Sequence, residues 1–198
     1  MRLLSLAIPL LLLAGSSTPA RASVVVKLDL PQLVGQADAI FVGKAIRAQS
    51  RWSENGRHIV TDVTFLVEHA IRGARARDTV VVRSLGGAVG GLGMRISGSP
   101  TFNVGDQALL FTDLRAGHRY VSGMEQGVFR LSRDLSGQVV VRQTIGKGLA
   151  LARRTPAGGL ELIKESGAPG PQPLESFVKQ VRETIAACAR QPARCQSR

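Results

Sequence analysis

The dipeptide Asn55-Gly56 constrains this chain more than any other feature, because it separates two long segments that can pair with each other. Asn-Gly suits the positive φ angles of a two-residue type I′ turn. The segments 39–54 and 57–71 therefore predict a long β-hairpin with Glu54 opposite Arg57. This register places Trp52 beside Ile59, Ile46 beside Phe65, and Ile40 beside Ile71.

The second strand of this hairpin has one apolar and one polar face, as expected for a half-buried strand. The apolar face carries Ile59, Val63, Phe65, Val67 and Ile71, and the polar face carries His58, Asp62, Thr64 and Glu68. Lys44 falls opposite Val67 on the apolar side. We expect a β-bulge near Gly43 to relieve this conflict.

Five further short segments have the composition of strands, with no helical pattern between most of them. They are 78–84, 106–114, 119–122, 127–132 and 138–144. The glycine-rich stretch 86–93 predicts a flexible connecting loop and not a phosphate cradle, because strand-like residues follow it where a phosphate site needs a helix. The pattern predicts a mainly β fold, an antiparallel barrel or sandwich.

Two helices flank the predicted strands. Asp29 and Pro31 predict the cap and first turn of a short N-terminal helix. Pro173 opens a longer amphipathic helix whose apolar residues are Leu174, Phe177, Val178, Val181, Ile185 and Cys188. We expect this apolar face to pack on the strands of the same chain, and packing on a partner is the alternative. A hairpin around Pro156 and a Gly/Pro-rich linker precede this helix.

The first 22 residues predict a cleaved export signal. A positive start, an apolar run over 3–14 and the small-x-small sequence at 20–22 fit the signal-peptidase pattern. The run is about 18 Å long as a helix, too short for a hydrocarbon core of about 30 Å. We therefore expect an exported protein, periplasmic or extracellular, without a retained membrane anchor. The predicted parts are the signal peptide 1–22, a β-barrel domain 23–150, the hairpin and linker 151–172, and the C-terminal helix and tail 173–198.

The two cysteines, Cys188 and Cys195, lie close together near the C-terminus. In an exported chain such a pair predicts a small local disulfide, because a metal or redox site needs more ligands or a different spacing.

The formal net charge is +12, from 26 Lys and Arg against 14 Asp and Glu. Export and the low aromatic content argue against nucleic acid as the partner, since a single-strand groove needs stacking aromatics. The basic residues Arg72, Arg75 and Arg77 follow the second hairpin strand. They are the candidate site for an anionic glycan, lipid head group or acidic protein, and a solvated turn is the alternative.

No catalytic or cofactor motif stands out in the sequence. His58 and His69 are about 36 Å apart if they share a straight strand, so they do not share a metal there. Ser84, His58 and Asp62 are the residues from which a Ser-His-Asp set could be assembled. The sequence predicts no catalytic residues, no metal and no cofactor, and an unrecognised hydrolase stays an open alternative.

Four segments in order resemble netrin-like domains, the superfamily that includes the tissue inhibitors of metalloproteases. They are 37–44, 61–73, 79–82 and 104–111, so the resemblance covers about residues 37–123. The chain also resembles a group of exported bacterial proteins of uncharacterised activity. The netrin-like resemblance implies a five-stranded OB-type barrel. In the metalloprotease inhibitors an N-terminal cysteine faces the protease zinc, but the predicted mature terminus here is Ser23, and no cysteine precedes Cys188.

These observations together predict an exported, non-enzymatic binding module. The leading hypothesis is that it binds or modulates an exported protein, with a protease as the version that the resemblance implies. Binding of an anionic envelope surface, glycan or lipid, is the second hypothesis, and the unrecognised hydrolase is the third.

Overall fold

A computed structural model describes residues 23–146, 149–155, 157–163 and 169–196. The predicted signal peptide, Pro156 and part of the predicted linker lie outside the described residues. The strands are β1 Ser23–Val26, β2 Ala39–Trp52, β3 Ile59–Arg72, β4 Thr79–Val89, β5 Leu92–Arg95, β6 Gln107–Arg115, β7 His118–Val121, β8 Val128–Arg133, β9 Val139–Gln143, β10 Leu149–Arg154, β11 Leu160–Leu162 and β12 Gln172–Pro173. The α-helices are α1 Leu30–Gln36 and α2 Leu174–Arg190. The predicted mainly β class with a short N-terminal and a C-terminal helix is confirmed.

The described strands form two sheets. In the larger sheet the order is β12-β9-β8-β6-β2-β3-β4-β5, and β7 pairs with β6 outside this path. Strand β7 also lies beside β4, but no hydrogen-bonded ladder joins these two strands. The predicted barrel is therefore a curled sheet that hydrogen bonds do not close. The smaller sheet has the order β1-β10-β11, with β1 parallel to β10.

The hairpin β2–β3 has the predicted register near its turn and again at Val42 and Phe41, and a shifted register at 43–45 and at Ile40. Trp52 pairs with Ile59, and the same register continues to Arg47 opposite Thr64. The predicted two-residue type I′ turn is wrong, because the Gly56 N–H donates to Ser53 in a longer connection and, of the Asn-Gly pair, only Gly56 has a positive φ. A bulge at Ile46 then brings Ala45 opposite Phe65, so the predicted pairing of Ile46 with Phe65 is wrong. Ile40 pairs with Arg72, so its predicted pairing with Ile71 is also wrong.

The bulges resolve the conflict that the sequence predicted at Lys44. Lys44 now lies opposite Leu66 and is exposed, while Ala45 and Phe65 are fully buried. A second register shift falls between Val42 and Gly43, at the position where the sequence predicted a bulge. An inserted residue reverses the face on which the following side chains lie, and this lets the lysine reach solvent.

The first half of β2 and the central part of β6 are buried on both faces and separate two apolar clusters. The inner cluster, inside the curl of the sheet, includes Phe41, Phe65, Phe102 and Leu110. The helix-side cluster lies on the opposite face of the same strands. Its residues include Ile40, Leu109, Phe111, Phe129, Phe177 and Val181. Strands covered on both faces have continuous apolar runs in their sequences, as 39–42 and 108–111 do.

Both helices cover the helix-side cluster. Asp29 caps α1, and its side chain accepts from the Gln32 N–H at 2.8 Å while the Gln32 side chain accepts from the Asp29 N–H, a complete capping box. On α2, the Phe177 ring lies 4.4 Å from the Phe129 ring. The expectation that α2 packs on its own chain is confirmed.

A disulfide joins Cys188 to Cys195, as the sequence predicted, with the two Cα atoms 5.7 Å apart. It holds the C-terminal turn Pro192–Arg194 against the two helices. The Cys195 carbonyl lies so close to Gly35 of α1 that a Cβ at Gly35 would be 1.8 Å from its oxygen.

Three parts of the fold differ from the sequence predictions. The glycine-rich stretch 86–93 is not an irregular loop, because β4 and β5 pair through it around a turn at Gly90-Gly91. The small sheet was missed, because β1 pairs with a strand more than 120 residues away. The predicted domain boundary at residue 150 falls inside β10, whose partner β11 forms the hairpin expected around Pro156.

Candidate functional site

The basic turn after β3 contains arginines with different surroundings. The Arg72 guanidinium donates hydrogen bonds to the carbonyl oxygens of Val34 and Ala37 at the end of α1. Burial lowers the pKa of Arg72, and the charge of Asp38 opposes this effect. Arg72 therefore holds α1 against β3. Arg75 and Arg77 are exposed, and their side chains have no hydrogen-bond or ion-pair partner among the described residues.

A larger candidate site lies between the small sheet and the curled sheet. We call this space the inter-sheet cleft, and its volume is about 360 Å³. Its lining residues are Val25, Val26, Leu28, Gln36, Arg83, Leu85, Ser99, Pro100, Arg115, Tyr120, Val121, Gly123, Met124, Gln126 and Arg154. The volume is within the range of small-molecule and peptide-side-chain sites.

Arg83 of β4 forms one wall of the cleft and is only 5% exposed. Its Nε lies 2.7 Å from Asp62 Oδ1, and its second terminal nitrogen lies 3.1 Å from Asp62 Oδ2, a bidentate pair. Its first terminal nitrogen lies 3.1 Å from Glu54 Oε1. Arg51 contacts the same two carboxylates, each at 3.1 Å. Two arginines and two acids thus form one charge-balanced network.

The network keeps both of its acids ionised. A hydrogen bond from its own backbone and then one from Arg51 lower the pKa of Glu54 to about 2. Burial alone would raise the pKa of Asp62, but hydrogen bonds and charge from Arg83 and Arg51 outweigh burial, and this pKa lies below its usual value. The hydrogen bonds that Arg83 donates to Asp62 are the main cause that raises the pKa of Arg83. Arg83 is therefore a permanent cation whose charge is largely balanced.

The other two arginines of the cleft differ in how far their charges are balanced. Arg115 pairs with Asp113, which also accepts a hydrogen bond from the Ser122 hydroxyl at 2.9 Å. Arg154 is exposed and has no hydrogen-bond or ion-pair partner in the described part of the chain. No acidic side chain lines the cleft among the described residues. The lining therefore has an excess of positive charge beside apolar side chains.

Strand β1 brings an unpaired backbone edge to the cleft. The Lys27 N–H donates to Ala152 of β10 at 2.8 Å, so the peptide groups of Val24 and Val26 face away from β10. The Val26 carbonyl accepts from the Gln126 side chain at 3.0 Å. In the described sheet pairings no strand lies on this edge of β1. Gln126 holds the C-terminal end of this edge, which lines the cleft, and leaves the Val24 peptide group, just beyond the lining, for another chain.

The three residues considered for a Ser-His-Asp set are not brought together on one face. Thr61 pairs with Ser84 and Asp62 pairs with Arg83, so Ser84 and Asp62 point to opposite faces of the sheet. Both Asp62 oxygens are already held by arginines. Within the described residues no group of three or more His, Cys, Asp or Glu side chains is arranged to hold a metal ion.

The sequence did not identify Arg83 or Arg154 as site residues. Arg83 could have been found from the pairing of opposite charges across β3 and β4, but the turn between these strands has no short motif that sets the register. Arg154 lies at the cleft only because β10 pairs with β1, which local sequence patterns do not reveal.

Comparison with models of known protein families finds no match, and comparison with curated protein sequences finds none either. None of the described helices is long and apolar enough to cross a membrane.

Proposed function

We propose that this protein is a non-enzymatic binding module that takes an extended, acidic segment of a partner protein into the inter-sheet cleft. The supporting observation is that an unpaired strand edge, apolar side chains and uncompensated positive charge meet in one place. Strand addition supplies main-chain hydrogen bonds, and nearby side chains select the sequence. Arg154 is the residue that favours an acidic segment over a neutral or basic one, because its charge has no partner within the described chain.

The partner is an exported protein on this proposal, in line with the predicted signal peptide and with the netrin-like resemblance. A protease is the version that this resemblance favours. Mature protein 23–198 should then lower the turnover of at least one exported protease of its host, measured with a peptide substrate. If every such protease keeps its full activity, the protease version is wrong, whereas the cleft proposal is tested separately below.

The cleft is tested with two blocked hexapeptides that alternate valine and threonine and differ only in the last residue, aspartate or lysine. We expect the aspartate peptide to bind at least about tenfold more tightly by calorimetry, since a hydrogen bond between charged groups contributes about 1.5–3 kcal/mol. Arg154→Gln should remove most of this preference. N-methylation of alternate peptide nitrogens should weaken binding, because these nitrogens donate to β1.

Arg153→Gln is the matched control. Arg153 is the neighbour of Arg154, and it pairs with Glu161 at 2.9 Å on the other face of β10. This variant should bind both peptides like the unmodified protein. Equal binding of the two peptides, or equal effects of the two variants, would refute the assignment to the cleft.

Binding of an anionic surface is a second candidate, favoured by the exposed and unpartnered side chains of Arg75 and Arg77. Arg75→Ala with Arg77→Ala should shorten retention on a heparin column more than Arg190→Ala with Arg182→Ala on the exposed face of α2. Arg72 is left intact in this experiment, because its removal would loosen α1. Equal retention of the two double variants would exclude the basic turn as the binding surface.

A further inference from the structure

A second, smaller cavity opens on the inner face of the curled sheet, next to the turn of the β2–β3 hairpin. Its volume is about 240 Å³. Three hydroxyl residues that are cross-strand partners on neighbouring strands line it: Ser50 on β2, Thr61 on β3 and Ser84 on β4. We call this space the hydroxyl cavity. It adjoins the inter-sheet cleft, with which it shares Leu85 and Pro100, but Ser84 and its neighbour Arg83 point to opposite faces of β4.

The hydrogen bonds of the cavity show which polar groups are already used. The Thr61 hydroxyl donates to the Gly86 carbonyl at 2.7 Å. A hydroxyl has one proton, so in the 2.9 Å contact between Ser50 Oγ and Thr61 Oγ1 the donor is Ser50. Ser50 and Thr61 are thus joined in a short chain that ends on the backbone. Their remaining lone pairs accept hydrogen bonds.

Ser84 does not take part in the hydrogen bonds that join Ser50, Thr61 and the Gly86 carbonyl. It is 5% exposed, and its Oγ has no hydrogen-bond partner in the part of the chain that the structure describes. A buried hydroxyl without a partner costs about 1–3 kcal/mol, so its occurrence calls for a physical reason. Ser84 lines the cavity, and the proton and two lone pairs of its hydroxyl are not used by any described residue.

The rest of the lining selects against charge. Among the described lining residues none carries a charged side chain, and Val63 and Phe102 form an apolar floor. A bare ion would lose its hydration here without a counter-charge, which is strongly unfavourable. Ala48 and Thr101 at the rim are exposed, so the cavity is accessible from solvent.

Gly87 explains why the cavity keeps this shape. A Cβ at Gly87 would lie 2.3 Å from Thr61 Oγ1 and 2.5 Å from Ser50 Oγ. The φ angle of Gly87 is 132°, in the region that favours glycine. The Gly86-Gly87 backbone can therefore approach the hydroxyl row closely, and it closes one side of the cavity.

From these observations we infer that the hydroxyl cavity binds a small, uncharged, polyhydroxylated molecule, between glycerol and a single sugar ring in size. Ser84 exchanges hydrogen bonds with one ligand hydroxyl, and Ser50 and Thr61 accept from others. The apolar floor contacts the carbon skeleton of the ligand.

The test is a titration with glycerol and with D-glucose, followed by the ¹H–¹⁵N NMR signals of Gly86 and Gly87. We expect saturable shifts with at least one polyol and none with sodium acetate or ammonium chloride. Ser84→Ala should weaken the polyol binding about three- to tenfold, because it removes one hydrogen-bonding partner. Ser132→Ala, which changes an exposed hydroxyl on β8, should leave the binding unchanged.

The Ser84→Ala variant also has a readout without ligand. Its resistance to urea should be equal to or higher than that of the unmodified protein, because an unpartnered buried hydroxyl is lost. Polyol shifts that are absent, or that persist unchanged in Ser84→Ala, would overturn the proposal. The Ser84 hydroxyl would then bind water alone.

Discussion

Replacing Phe177 by alanine tests whether α2 belongs to the core of this protein. Phe177 is 3% exposed, and its ring packs 4.4 Å from Phe129 within the helix-side cluster. Truncating a buried phenylalanine costs about 3–5 kcal/mol from lost burial and the remaining cavity. The close ring pair favours the upper part of this range. For a chain of this size, such a loss lowers the melting temperature by roughly 6 to 20 °C.

The assay is urea unfolding followed by circular dichroism, with thermal unfolding as a second measurement. Ser176→Ala is the control, because Ser176 is exposed at the position just before Phe177 in the same helix. It should change the free energy of unfolding by less than about 0.5 kcal/mol. A loss below about 1 kcal/mol for Phe177→Ala would refute the reasoning, since α2 would then not pack on the sheet in solution.

Three further predictions concern the ends of the fold and the charged network. Because the pKa of Glu54 is about 2 in the folded protein against an ordinary 4.5, its stabilising effect is complete above pH 4.5 and is lost as the pH falls towards 2. The pKa of Asp62 is lowered too, so acid unfolding curves should steepen in this window, and Glu54→Gln should flatten them. Cys188→Ser together with Cys195→Ser, which removes the link between residues 7 apart, should lower the free energy of unfolding in urea by about 2–3 kcal/mol. Gly35→Ala should destabilise by roughly 1–3 kcal/mol in the same assay, although alanine is the better helix former, because its Cβ would collide with the Cys195 carbonyl.

Those features of the fold that depend on residues close together in the sequence could be predicted from it. The turn at Asn55-Gly56 set the pairing of Trp52 with Ile59, and the capping residue Asp29 marked the start of α1. The bulge at Ile46 could not be placed, because its position depends on which side chains the whole core accommodates. The sequence showed that Lys44 would fall on the apolar face, but a one-residue bulge at any of several positions would have moved it to the exposed face.

The candidate sites were much less predictable than the strands. The basic turn attracted attention because its arginines are close in sequence, yet Arg72 is used to hold α1. The inter-sheet cleft is lined by residues from β1, β4, β7 and β10. No sequence motif in any of these strands indicates that the other three lie beside it. The hydroxyl row needs the registers of both β2–β3 and β3–β4 before Ser50 and Ser84 become neighbours of Thr61.

The sequence by itself determined most elements of this protein: a long hairpin, a series of short strands, a short capped helix and a C-terminal helix with one apolar face. Turn geometry, capping and the alternation of apolar residues act over a few residues, so they can be predicted from the sequence. Only the tertiary structure decided which surfaces could bind. The parallel pairing of β1 with β10 and the burial of Arg83 and Ser84 depend on contacts between residues far apart in the chain. Local physics does not encode these contacts, because their free energy arises only when the whole sheet is assembled.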